Sequence, residues 1–343
     1  MPLRDEIFDQ PGVLSALLAD QLPGLRGIAA SVGRPAGIFI AARGTSDNAA
    51  RYAKYLWGAR NRIPVTLAAP SLFSIYASPP QLSGYLVVGI SQSGESPDLL
   101  AVLKEANLQG CTTLAITNKI NSPLALEADF VIDILAGPEL SIAATKTYTA
   151  QLSVIAMLSA IWEGDERALK QLSEVPDHVK QVLNEEDKIR VYAARYRYMD
   201  QCVVLGRGFN YATAFEWSLK MKELAYVVAQ PYSSADFLHG PIAMISSGFP
   251  VFAVATTGKV FQELAELITR LKENHQADLF LISDHQELMD LADCPVILPK
   301  HIPEWLSPIV TIIPAQLLSY HLTIIKGFDP DSPRGLSKVT LTQ

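Results

Sequence analysis

Three stretches of this 343-residue sequence carry residue types that can do chemistry. The first is Ser91-Gln92-Ser93-Gly94-Glu95-Ser96, which follows the apolar run Tyr85 to Ile90 and precedes Pro97-Asp98. A buried strand that ends in such a turn and opens a helix at a proline aims free backbone N–H groups and the positive end of the helix dipole into the turn. Ser91, Ser93 and Ser96 add hydroxyl donors, and Gly94 lets the backbone come close to a ligand. The chemistry is anion binding, phosphate above all, although an N-cap with extra serines has the same appearance. Arg43-Gly44-Thr45-Ser46 also follows a strand and opens a helix. It can supply Ser46 to the same ligand, or be a capping turn and no more.

The second stretch is Glu216-Trp217-Ser218-Leu219-Lys220-Met221-Lys222-Glu223. On a helix, Glu216, Lys220 and Glu223 share one face. Such a row is commonly a solvated charged face. Here the flanks are apolar all round, which argues that some of these charges are buried and functional. The third set is two single residues. His239 sits in the turn Asp236-Phe237-Leu238-His239-Gly240-Pro241. Lys326 ends a long charge-free run before Gly327, where a lysine is commonly a dipole partner of its helix. Gly206-Arg207-Gly208 invites a dinucleotide reading, but the pattern needs glycine where Tyr211 stands, and it is rejected. No histidine pair has metal-ligand spacing.

The elements that must position these residues follow from the alternation of short apolar runs with amphipathic stretches. Ala36 to Ala41, Tyr85 to Ile90, Thr113 to Ile116 and Phe130 to Ile134 read as buried strands. So do Cys202 to Leu205, Val251 to Ala255, Asp278 to Ile282 and Pro295 to Leu298. This order implies an α/β fold with parallel sheets covered by helices on both faces. The two halves match each other. Arg43-Gly44 and Arg207-Gly208 are 164 residues apart, as are Ser93-Gly94 and Thr257-Gly258, and Ala150-Gln151-Leu152 returns as Ala315-Gln316-Leu317 at 165. The sequence therefore predicts an internal duplication. Its expected layout is an N-terminal helical segment (1–31) on the first domain, domain one (32–163), a helical connector (164–197), domain two (198–325) and a C-terminal tail (326–343).

Composition narrows the function. With 49% hydrophobic and 18% charged residues the chain can bury a sizeable core. The net charge of −7 comes without a basic patch, against a nucleic-acid partner. Three cysteines, none in a CxxC pair, read as reduced thiols of a cytoplasmic protein. The start lacks a signal peptide. Leu306 to Ile325 has no charge, but Pro308, Pro314, Gln316 and His321 interrupt it, so a buried core helix is expected and no membrane partner.

In these motifs the sequence resembles the sugar isomerase (SIS) family, which includes the isomerase part of glucosamine-6-phosphate synthase and stand-alone glucosamine-6-phosphate deaminases. The resemblance runs through Arg43 to Ser46, Ser91 to Ser96, Ala143-Ala144-Thr145-Lys146, Glu216 to Glu223, Leu238 to Pro241, and Leu317 through Lys326 to Arg334. It implies two tandem SIS domains, each a flavodoxin-like three-layer α/β/α unit. It implies that Ser46, Ser91, Gln92, Ser93 and Ser96 hold a sugar phosphate, with Gly44, Thr45, Ala143 and Ala144 as further contacts. It also implies Glu223 as the base moving a proton between C1 and C2, and His239 as the ring-opening residue, given across a homodimer interface. Lys326 is implied as an imine-forming amine, and Glu216 and Lys220 as supporting charges. The residue types suit the chemistry.

Pro2 stands where the synthase has the cysteine of its glutaminase domain, so ammonia drawn from glutamine is not expected. Ala144 stands where the synthase has a serine, so the sugar contacts are expected to differ. The expected activity is that of an amino-sugar phosphate isomerase/deaminase taking glucosamine 6-phosphate to fructose 6-phosphate and ammonia, with no metal or redox cofactor. The alternatives are a fructosamine 6-phosphate deglycase, ammonia-dependent synthesis in the reverse direction, and a non-catalytic sugar-phosphate sensor.

Overall fold

The computed structural model describes residues 1–338. It contains ten strands: β1 (Gly37–Ala42), β2 (Val65–Leu67), β3 (Tyr85–Ser91), β4 (Thr112–Thr117), β5 (Phe130–Asp133), β6 (Gln201–Leu205), β7 (Val228–Tyr232), β8 (Pro250–Ala255), β9 (Asp278–Ser283) and β10 (Cys294–Ile297). They form two all-parallel sheets, in the orders β2-β1-β3-β4-β5 and β10-β9-β8-β6-β7. The second order read from its other edge is β7-β6-β8-β9-β10, which matches the first strand for strand. The duplication expected from the sequence is therefore a duplication of topology.

The central strands are fully buried, as parallel strands covered by helices must be. Two of the four edge strands, β2 and β7, escape the hydrophobic pattern. β2 is three residues long and only partly buried, and β7 alternates exposed and covered positions and holds Pro231, which an edge tolerates. In each sheet the chain order reverses between the first and third strands of the half. Open α/β sheets place ligands beside the carboxyl ends of strands at that point.

Two compact units hold these sheets. One comprises Gly12–Leu140, Ala144–Glu174 and the tail from Leu336; the other comprises Met1–Pro11, Ser141–Ala143 and Val175–Gly335. These limits cut across the sequence boundaries. The first helix, Pro2–Val32, begins within the second-sheet unit and continues in the first-sheet unit. In the second-sheet unit Leu3 donates its N–H to Asp331 at 2.9 Å, and Gln10 donates to Gln316 at 2.8 Å. The expected connector divides too. Its helix Glu166–Ser173 belongs with the first sheet, whereas Val175–Leu183 and Glu186–Arg195 belong with the second.

The charge-free run forms the helix Ser307–Ile325, buried along nearly its whole length. Of its most apolar window 89% is covered by protein, the behaviour expected of a core helix. Each Leu or Ile so covered contributes about 1.5–3 kcal/mol relative to exposure. The three cysteines are buried and unpaired.

Candidate functional site

In the first-sheet unit, the loops after β1, β3, β4 and β5 gather at the carboxyl edge of one parallel sheet. Gly44 takes φ +54° and starts the helix Gly44–Ala59 directly after β1. Ser46 lies in its first turn, is 7% exposed, and accepts a hydrogen bond from Gln151 Nε2 at 3.0 Å. Thr45 beside it is half-buried.

The turn after β3 is braced from within. Ser91 Oγ accepts from the Gly94 N–H at 3.0 Å, and Ser93 Oγ accepts from the Glu95 N–H at 3.3 Å. Both hydroxyls act as acceptors here, so each keeps its own proton to donate. Gly94 is required twice: its φ is +63°, and a Cβ there would collide with the Ser122 side chain. The Gly94 carbonyl accepts from the Leu124 N–H at 3.0 Å, and the Gln92 carbonyl from the Asn118 N–H at 3.3 Å. Ser96 is the N-cap of the helix Pro97–Leu108 but makes no capping bond, and its buried Oγ has no partner among the described residues. A buried hydroxyl normally finds a partner. An uncapped helix start with an unspent hydroxyl is the arrangement an anion completes.

A second polar group in the same unit escaped the sequence reading. Glu139, in the loop after β5, accepts from the Thr145 N–H at 2.9 Å, the Thr147 N–H at 3.1 Å and the Thr147 hydroxyl at 2.8 Å. It also holds the Lys338 ammonium at 2.9 Å. Its side chain is fully buried and that of Lys338 is 27% exposed. Thr145 caps the helix Lys146–Glu163, and its buried Oγ1 has no partner among the described residues. Ala144 precedes it, half-buried, whereas Ala143 is buried in the other unit. The available signal was an acid six residues before a helix start. Gln151 was visible only as part of the repeat, yet it is the partner of Ser46.

In the second-sheet unit, the helix Tyr211–Leu224 carries the expected charged row. Glu216 and Lys220 are buried, 3.3 Å apart, and Lys220 Nζ donates to Glu223 Oε2 at 2.6 Å. Burial pulls the Lys220 ammonium down, but the adjacent carboxylates Glu216 and Glu223 outweigh it and hold the group above its ordinary value. The solvated-face reading of this row is thereby excluded. Only Glu223, with its side chain 23% exposed, reaches toward the surface. Trp217 packs the row from behind, stacked on Phe252 at 5.1 Å between ring centroids.

His239 follows the short helix Ser234–Leu238, and its imidazole is exposed. Lys326 lies at the end of the helix Ser307–Ile325. Its ammonium donates to the Met199 carbonyl at 2.7 Å and the Arg197 carbonyl at 3.5 Å, with Asp200 at 3.8 Å. This amine is engaged by carbonyls of the 197–199 segment rather than by those of its own helix.

The two units also share an ion-pair device. Arg43, just after β1, bonds Asp98 in the first turn of the helix Pro97–Leu108 at 2.7 Å, and Ser74 donates to the same carboxylate at 2.8 Å. Arg207, just after β6, pairs with Glu263, and Ser234 donates to that carboxylate at 3.0 Å. An arginine, an acid and a serine thus recur in equivalent places.

Comparison with known proteins agrees with the fold. The SIS domain family model matches residues 35–161 and 183–326. A glutamine–fructose-6-phosphate aminotransferase (isomerizing) of Thermococcus kodakarensis is 35% identical over 97% of the chain, which spans 56% of that relative's length. Among solved structures, the C-terminal domain of glucosamine-fructose-6-phosphate aminotransferase from Francisella tularensis matches with a TM-score of 0.87 and 27% identity, over 97% of this chain and 98% of that one. A glucosamine-6-phosphate deaminase from Thermotoga maritima shares the fold, with a TM-score of 0.78 over the full length of both chains at 22% identity.

Proposed function

The chain belongs to the SIS domain family, and from that premise we propose that it is an amino-sugar phosphate isomerase/deaminase whose favoured reaction takes glucosamine 6-phosphate to fructose 6-phosphate and ammonia. The observation that carries the reading is the row Glu216–Lys220–Glu223. It is buried at one end and opens at the other on a carboxylate fit to take a carbon-bound proton. The serine turn supports it as the grip for the phosphate.

In the proposed reaction the sugar opens to the C1 aldehyde, with His239 of a second copy of the chain assisting. Glu223 takes the proton from C2 and returns it to C1. The amine-bearing C2 becomes an imine as C1 becomes an alcohol. Water adds to that imine and ammonia leaves, giving the 2-ketose. Imine exchange calls for a lysine amine. Lys338, on a carboxylate in the same unit as the serine turn, suits that role better than Lys326, whose ammonium is held by carbonyls. The Thermococcus relative's printed activity favours a second reading, the same isomerisation run toward amino-sugar synthesis with free ammonia.

The deciding experiment is an ammonia-release panel of glucosamine 6-phosphate, other amino-sugar phosphates and fructosamine 6-phosphate, with a reverse assay from fructose 6-phosphate and ammonia. Release from glucosamine 6-phosphate is expected. Turnover of another member alone removes the specific substrate, and no turnover of any member removes the enzyme reading in favour of a sensor.

A further inference from the structure

The turn after β8 is the topological equivalent of the serine turn after β3, since β8 and β3 hold the same place in matching strand orders. Thr256-Thr257-Gly258-Lys259 leads into the helix Phe261–His275, as Ser91 to Ser96 leads into Pro97–Leu108. The two turns treat their backbone N–H groups differently. In the first, the Gly94 and Glu95 amides rest on neutral serine oxygens. In the second, the Thr257 amide donates to Asp284 Oδ1 at 2.8 Å and the Lys259 amide to Glu304 Oε2 at 3.0 Å. The Thr257 hydroxyl is also spent on Asp284, at 2.6 Å. Glu304 packs so close to Gly258 that a Cβ there would collide with its carboxylate.

Both carboxylates have counterparts in the first half that point elsewhere. β4 and β9 end equivalently: the Lys119 amide bonds Thr117 Oγ1 at 3.2 Å and the His285 amide bonds Ser283 Oγ at 3.1 Å. Asp284 therefore corresponds to the neutral Asn118, which donates to the Gly137 carbonyl. Glu304 lies 165 residues after Glu139, the offset that relates Gln151 to Gln316. Glu139 is turned onto the next helix start and Lys338.

We propose that the turn Thr256–Lys259 is an anion nest closed by the chain's own carboxylates, Glu304 and Asp284, and that these two residues leave the chain one phosphate-binding turn where its topology provides two. An internal carboxylate on a turn amide satisfies the same donors that a phosphate oxygen would. It also repels a second anion at short range. Opened, the nest would take inorganic phosphate or a phosphomonoester.

The test is a titration of the full-length ¹⁵N-labelled chain with inorganic phosphate, read by amide shifts. In the wild type, the amides of Gln92 to Ser96 are expected to shift saturably and those of Thr257 to Val260 to stay still. Shifts at 257–260 in the wild type would overturn the proposal. In Asp284→Asn/Glu304→Ala, shifts at 257–260 should appear and bound phosphate by equilibrium dialysis should double. A double variant that keeps the wild-type circular dichroism spectrum and still binds the wild-type amount overturns it too. Should that variant fail to fold, Glu304→Ala alone is read the same way. Silence at Gln92 to Ser96 would instead count against the phosphate grip and leave this test intact.

Discussion

The helices Gly44–Ala59 and Tyr211–Leu224 occupy equivalent places in the two halves, directly after β1 and β6, yet they bury opposite chemistry. At the repeat offset of 164, Tyr52 and Leu56 of the first stand where Glu216 and Lys220 stand in the second. All four are buried. The turns after β3 and β8 differ in the reverse sense: the first carries an unspent hydroxyl, and the second is filled by carboxylates. One duplicated scaffold thus offers each position twice, and the two halves fill it with different chemistry. The lesson is that duplication fixes where side chains can act, while a few charge changes decide which half acts.

The first expected effect concerns the lysine. Lys338→Ala should lower the rate of ammonia release more than about tenfold beyond Lys326→Ala, each tenfold being about 1.36 kcal/mol of barrier. Equal losses would show that the carbonyl-bound amine is not a spectator and would break the division between the two lysines.

Next comes Lys220→Met. Removing the ammonium strands the buried Glu216 carboxylate, at a cost of about 3–5 kcal/mol by denaturant unfolding. Because the folded-state value of Lys220 is raised, its stabilisation is fully present below the ordinary lysine value of about 10.4 and is lost only as pH rises through the higher folded value. In the wild type that contribution should therefore be flat across neutral pH. A penalty under about 1 kcal/mol would mean that the row behaves as a solvated surface pair after all.

The smallest effect sharpens the contrast of the turns. Ser96→Ala should weaken binding of a sugar phosphate by about 1.5–3 kcal/mol, the worth of a hydrogen bond to a charged group, with little loss of stability because that hydroxyl has no partner among the described residues. Thr257→Ala should leave binding unchanged. Equal weakening by both would erase the difference between the halves.

Much of this was legible in residue order. Buried parallel strands announce themselves as apolar runs, and a serine-rich strand-to-helix turn stands out even though a capping turn has the same appearance. The edge strands β2 and β7 did not, because they lack a two-sided apolar burial to pattern them. The engagement of Lys326 with carbonyls and of Lys338 with Glu139 was also hidden. Both are lysines in a C-terminal stretch, and only tertiary placement tells a helix-end lysine from one held by a buried acid. The carboxylates on the second turn lie 27 and 45 residues from the amides they bond, beyond any local pattern.

The most direct measurement is solvent deuterium incorporation at C1 and C2 of glucosamine 6-phosphate, followed by mass spectrometry in heavy water for the wild type and Glu223→Gln, with substrate binding measured in parallel. With Glu223 as the base, the wild type incorporates deuterium, and Glu223→Gln binds the sugar phosphate but incorporates it about 10²–10⁴-fold more slowly. Incorporation by Glu223→Gln at the wild-type rate would contradict the assignment of proton transfer to the open end of the buried row.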